Sequence, residues 1–189
     1  MKLSKTHLNS ITTIFLITLS WLTQASQCNE QEWNKALVSQ QALDRKYNTL
    51  ASKYNMWLPS FQQSIFLHLE FSNEELTYLW GKNANHFRDK IDRQIQVALE
   101  SRQMISSLAP YLDEINEDVT EQISLWNRIG RDCEIDRLIT NEVAAQHYVQ
   151  SDKHLIQELN NFEQQLDTMR SYYDREVLTL QNIAAPIHP

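Results

Sequence analysis

The chain has 189 residues, 17 of them basic and 24 acidic, for a net charge of −7 with histidine neutral. That balance argues against a nucleic-acid partner, which calls for a basic patch or a high isoelectric point. Only two glycines and four prolines punctuate the sequence. A β-rich fold is disfavoured for that reason, because many short strands need many turns built on Gly, Pro, Asn and Asp.

The N-terminus reads as a secretory leader. Met1 to His7 carries Lys2 and Lys5 and no acid, and Ile11 to Leu22 is a mostly apolar run. A charged segment followed by an apolar one is the order of a signal peptide. The run is shorter than the ~20 apolar residues a membrane-spanning helix needs, so cleavage is expected rather than anchoring, with no stable membrane insertion of the mature chain. Thr23 and Ala25 occupy the small-residue positions before a cut after Ala25, which makes residues 1–25 the leader. Its removal takes two lysines and no acid, leaving 15 basic against 24 acidic residues and a net charge of −9. A lipoprotein would also place a cysteine near Cys28. However, Gln27 is bulky for the position before a lipidated cysteine, and Ala25 stands where leucine is usual.

Residues 26–182 are expected to form one domain, an all-α, elongated antiparallel helical bundle with coiled-coil-like seams. Trp33, Ala36, Gln40, Leu43, Tyr47, Leu50, Tyr54 and Trp57 alternate spacings of 3 and 4, which keeps them on one helix stripe. Pro59 is expected to end that helix.

From Tyr54 to Phe87 the apolar and aromatic density rises. In SIFLHLEF, Ile65, Leu67, Leu69 and Phe71 fall at period two while Phe66 faces the other way, a pattern given either by a short strand or by a helix buried all round. Ser72 followed by Glu75 is a capping box, predicting a helix from there to about Gly81. Pro59 to Asn85 is thus expected to hold short helices capping one end of the bundle. Trp57, Phe61, Phe66, Phe71, Tyr78 and Trp80 are the candidate partner-binding residues, with core closure as the competing role for the same side chains.

The next seam runs Ile91, Ile95, Ala98, Arg102, Ile105, Leu108, Leu112, Ile115, Val119, Ile123, Trp126 and Ile129. Its spacing survives Pro110, which predicts a kink or a one-residue interruption rather than a reversal. Gly130, Arg131 and Asp132 are expected to turn the chain into a long C-terminal αα-hairpin. The last arm reads Leu155, Leu159, Phe162, Leu166, Met169 and Tyr173, with Ile135, Leu138 and Ile139 leading in and Val177 and Leu180 closing it. Residues 183–189 are expected to be a disordered tail.

The first helix begins near Cys28 and the predicted turn lies just before Cys133, so one or three intervening helices would bring both cysteines to one end of the bundle. In an exported chain such a pair is expected to be a disulfide. The link would remove roughly 4–5 kcal/mol of unfolded-chain freedom on the loop-entropy model.

Motifs for chemistry are missing. The mature histidines, His68, His86, His147, His154 and His188, are preceded at the third residue by Ile65, Asn83, Ala144, Ser151 and Ala185. None of these supplies the Glu-x-x-His of a di-metal bundle. There is no zinc-protease helix, haem-attachment motif, phosphate loop or nucleophile elbow. His147 and His154 share a helix face, but two turns separate them by ~10 Å, too far to ligate one ion without a second helix. No metal, cofactor or catalytic residue is therefore expected.

Three classes of function remain. The first is an exported, periplasmic or secreted, non-catalytic bundle that binds another envelope or secreted protein as an assembly or inhibitor module. The second is a bundle holding a small molecule or haem in an enclosed pocket near Trp57, Trp80 or Tyr78. The third, a membrane-active protein, is opposed by the acidic surface. Composition leaves monomer and homodimer equally open.

Overall fold

The computed structural model describes residues 28–185. The expected leader and residues 186–189 lie outside them. The elements are α1 (Glu30–Gln62), α2 (Leu67–Glu70), α3 (Asn73–Ser106), α4 (Ala109–Ile135) and α5 (Ile139–Ala184), an all-α chain as the seams predict.

α5 is the spine. Its 46 residues extend roughly 70 Å at 1.5 Å per residue. α3 and α4 lie end to end along it, each packed on a different stretch, and α1 packs on α4. α1 is antiparallel to α4: Cys28 meets Cys133, Gln40 meets Trp126 and Lys46 meets Asp118 and Glu114. It is parallel to α5, since Gln40 meets Asp152 and Tyr54 meets Gln165. Where α1, α4 and α5 run side by side the cross-section is three helices wide, and the heptad residues fill it. Leu43, Leu50, Ala98, Ile105, Leu112, Ile115, Val119, Leu159 and Leu166 form one continuous core.

The α3–α4 joint keeps its direction, as the seam across Pro110 predicts. The break takes Ser107 and Leu108, and Pro110 sits in the first turn of α4, where its missing N–H would be unpaired in any case. Arg102, the polar member of this seam, reaches an exposed ion pair with Asp174.

Several expected boundaries are corrected. Pro59 lies inside α1. It cannot donate to Asn55, yet the helix runs on to Gln62, because Phe61 in the final turn is held against Phe66, Tyr172 and Tyr173. The capping box at Ser72 forms with both hydrogen bonds, but α3 passes through Gly81 to Ser106. A lone glycine costs a helix only about 1 kcal/mol, less than the seam beyond it returns. SIFLHLEF is neither a strand nor an all-round buried helix. One helical turn, α2, is flanked by extended Phe66 and Phe71, and the buried residue is Phe66, while Ile65, Leu69 and Phe71 face solvent.

The hairpin turn is at Asp136–Leu138, not Gly130–Asp132. Gly130 is a buried residue of α4, and a Cβ there would lie 3.5 Å from the Ala145 Cβ. Its smallness serves the close approach of α4 to α5. The chain turns instead at Arg137, whose φ is 60°. Leu138 N–H bonds to the Cys133 carbonyl and Arg137 N–H to that of Glu134, which is the Schellman pattern of a helix C-terminus. Ile135, Leu138 and Ile139 are exposed at this tip rather than leading the core seam. Ala145 and Val149 fill that role. At the other end α5 reaches Ala184, past the boundary expected at 182, because Ile183 packs against the cluster of Leu76, Ile91 and Leu180.

Candidate functional site

Glu176 organises the elbow between α1 and α3. It falls three residues after Tyr173, so the seam's own spacing turns it inward, and it is 0% exposed. Its Oε1 accepts from Leu67 N–H and Gln94 Nε2, both at 2.9 Å, and its Oε2 from His68 N–H at 3.0 Å. His68 Nδ1 lies 2.7 Å from the same Oε2. A buried carboxylate is tolerated when its lone pairs are satisfied, and here four donors surround it. Two of them are the first backbone N–H groups of α2, which a helix leaves unpaired, so α5 caps α2 from across the bundle. Gln94 also donates to the Ile65 carbonyl, fixing the strand-like entry to α2. With Nδ1 directed at Glu176, His68 Nε2 is buried without a partner.

The six candidate partner-binding residues separate into four environments. Phe66 is buried, and Phe61 is half-buried against the same Tyr172–Tyr173 pair. Trp80 is half-buried against Leu76, Ile91 and Leu180. Phe71 and Tyr78 are 41% and 60% exposed, and beside them Ile65 and Leu69 are 68% and 56% exposed. Trp57, also half-buried, lines a cleft further along α1.

A second polar cluster sits mid-bundle. Gln40, the polar member of the first seam, donates to Asp152 Oδ1 at 2.8 Å and accepts from Trp126 Nε1 at 2.9 Å. Gln122 donates to the Ala36 carbonyl. Trp126, fully buried, is stacked on Tyr148 and meets Trp33 edge-on. Asp152 is 1% exposed, and burial raises its carboxyl to about 6 against the opposing hydrogen bond from Gln40, with the Asp44 charge adding to the rise.

Cys28 and Cys133 are joined in a disulfide, with Cα atoms 4.9 Å apart, as the sequence geometry predicts. It ties the start of α1 to the last turns of α4 and fits an oxidising compartment. No described helix is long and apolar enough to cross a membrane. Against protein-family models, curated proteins and solved structures, the chain finds no match.

Two adjoining clefts run beside α1. One, of about 380 Å³, is lined by Tyr54, Trp57, Met104, Leu108, Leu166 and Met169 among others. The next, of about 370 Å³, is lined by Arg45, Lys46, Leu50, Glu114 and Ile115, and shares Lys53 and Tyr111 with the first. They are open troughs rather than the enclosed pocket expected of a ligand-binding bundle, and Trp57 lines the first while Trp80 and Tyr78 line neither. Asp152 and Glu176 line neither. His147 lies in a separate shallow cleft with Asn127 and Lys153, and His154 is exposed beside Glu158. Among the described residues, no group of three His, Cys, Asp or Glu side chains is placed to hold a metal ion.

Sequence reading missed the two buried carboxylates, although the signal was present. Stepping the third seam back three residues from Leu155 gives Asp152, and stepping it forward three from Tyr173 gives Glu176. An acid at a seam position marks a buried polar contact.

Proposed function

We propose that this chain is an exported, non-catalytic helical bundle that binds another envelope or secreted protein, as an assembly or inhibitor module, through the elbow between α1 and α3. The observation that carries this reading is the pairing of exposure with rigidity. Ile65, Leu69, Phe71 and Tyr78 point to solvent on or beside a segment whose backbone is held by the buried Glu176. A preorganised apolar surface binds without the entropic cost of ordering a loop. The disulfide and the leader-like N-terminus support export to the periplasm or the outside.

The test is site-specific photo-crosslinking from Leu69 and Phe71 in the exporting cell. A discrete crosslinked protein is expected, lost on introducing Leu69→Glu with Phe71→Glu, while the melting temperature stays within a few degrees. Phe66→Ala serves as the contrast, costing about 3–5 kcal/mol as a core truncation. A clean absence of crosslinks from both positions in a folded, disulfide-bonded protein would overturn the elbow as the docking surface.

A further inference from the structure

The troughs along α1 form a polarised site distinct from the elbow. Where the α3–α4 joint breaks at Ser107 and Leu108, α1 stands off and leaves an apolar bed whose floor is the bundle core, with Ile105, Leu108, Leu166 and Met169 all buried. Trp57 and Tyr54 wall it on the α1 side, and the exposed Met104 and Tyr111 wall it on the other. Its volume of about 380 Å³ falls within the roughly 300–1,000 Å³ typical of small-molecule sites. A methionine and aromatic rim adapts readily to a flexible hydrocarbon.

The adjoining trough is cationic, in a chain that is acidic overall. Arg45, Lys46 and Lys53 all project into it from α1. Lys46 is more than neutralised by Glu114 and Asp118, each at 2.6 Å, so the net positive charge of this trough comes from Arg45 and Lys53. Arg45 and Lys53 make no ion pair with a described residue. Lys53 lies at the boundary between the two troughs, its Nζ 4.3 Å from the centre of the Tyr111 ring. The site therefore has an apolar end and an end where Arg45 and Lys53 carry positive charge with no carboxylate paired to either among the described residues.

We propose that this groove binds a single-chain anionic amphiphile, a long-chain fatty acid, with its tail against Trp57, Leu108, Leu166 and Met169 and its carboxylate at Lys53, within reach of Arg45. The apolar bed selects the chain, and the charge of the rim selects the sign of the head. A volume of about 380 Å³ suits one tail rather than the paired tails of a bilayer lipid. The proposal does not rest on the elbow reading, and each stands or falls by its own experiment.

The test is isothermal titration of the oxidised protein with sodium laurate below its micelle concentration, against dodecyltrimethylammonium of the same chain length. One saturable laurate site per chain is expected, with binding of the cationic detergent weaker by about tenfold or more. Lys53→Glu and, separately, Met104→Glu should each weaken laurate by about tenfold, the scale of a lost charged contact. Both positions are at the surface, and circular dichroism checks the fold; Arg45→Glu replaces Lys53→Glu if that variant is unfolded. Four results would overturn the proposal: no saturable laurate binding; equal binding of both detergents; laurate binding unchanged in the folded variants; or a laurate heat that merely tracks dissociation of a dimer, which would assign the groove to a second copy of the chain.

Discussion

The Gln40 amide bridges three helices by donating to Asp152 on α5 and accepting from Trp126 on α4. Only one of the two Asp152 oxygens gains a partner in this way, because Oδ2 is buried with none. An ionised carboxylate in that place lacks part of its solvation, which is why its proton is held up to about 6.

Stability should therefore fall as pH rises between about 4 and 6. Below the unfolded value of ~3.9 both states are protonated. Between the two values the folded state holds more protons, and above the folded value the cost of burying the charge is complete. Asp152→Asn keeps an acceptor for Gln40 and removes the charge. Urea unfolding followed by tryptophan fluorescence should find the variant more stable by about 2 kcal/mol at pH 7.5, with the gap closing towards pH 4. A gap independent of pH would show that this carboxyl does not titrate in the window.

Breaking the Cys28–Cys133 link should free the start of α1 first. The loop it closes spans 105 residues, and replacing both cysteines by serine is expected to cost about 2–4 kcal/mol. Hydrogen exchange should speed up most in the first turns of α1 and least at the far end of α5. Uniform loss of protection would mean that the disulfide supports the whole bundle at once.

Glu176→Ala should undock α2. It removes the shared acceptor of Leu67 N–H, His68 N–H, the His68 ring and Gln94, leaving buried donors unpaired at a cost of about 3–5 kcal/mol. Limited proteolysis is the readout. Cleavage between residues 63 and 72 should appear in the variant, and an elbow that stays resistant would show that aromatic packing alone holds it.

Two backbone positions can be improved. A methyl group at Gly81 meets nothing within 4 Å, so Gly81→Ala should stabilise the protein by about 0.5–1 kcal/mol. Arg137 has φ of 60°, a conformation that disfavours a side chain, and Arg137→Gly should stabilise by about 0.5–1 kcal/mol. Thermal melts of the two single variants and the pair should show additive gains, since the sites lie at opposite parts of the bundle and share no partner.

The six residues proposed as contacts show where sequence reading stops. A cluster of aromatics marks the elbow, but Phe66 and Phe71, five positions apart on one segment, differ only in what faces them. Phe66 meets Phe61 from the end of α1 and, from more than a hundred residues away, Tyr172 and Tyr173, while Phe71 faces solvent. Apolar pattern records preference for burial, and the neighbours decide which side chain obtains it. The groove beside α1 was legible only through Trp57, because a cleft is made by the helices that fail to meet.

What the sequence determined by itself is whatever depends on local spacing. The 3–4 alternation specified long helices and most of the core, Ser72 and Glu75 capped α3 through bonds within one turn, and both cysteines were placed near helix ends that an odd number of intervening helices brings together. What only the tertiary structure decided depends on packing from elsewhere: α1 running through Pro59, α3 through Gly81, the turn moved from Gly130 to Arg137, and acids accepted at Asp152 and Glu176. At each of these, a local rule worth from about 1 kcal/mol to a few kcal/mol was outweighed by contacts with another helix.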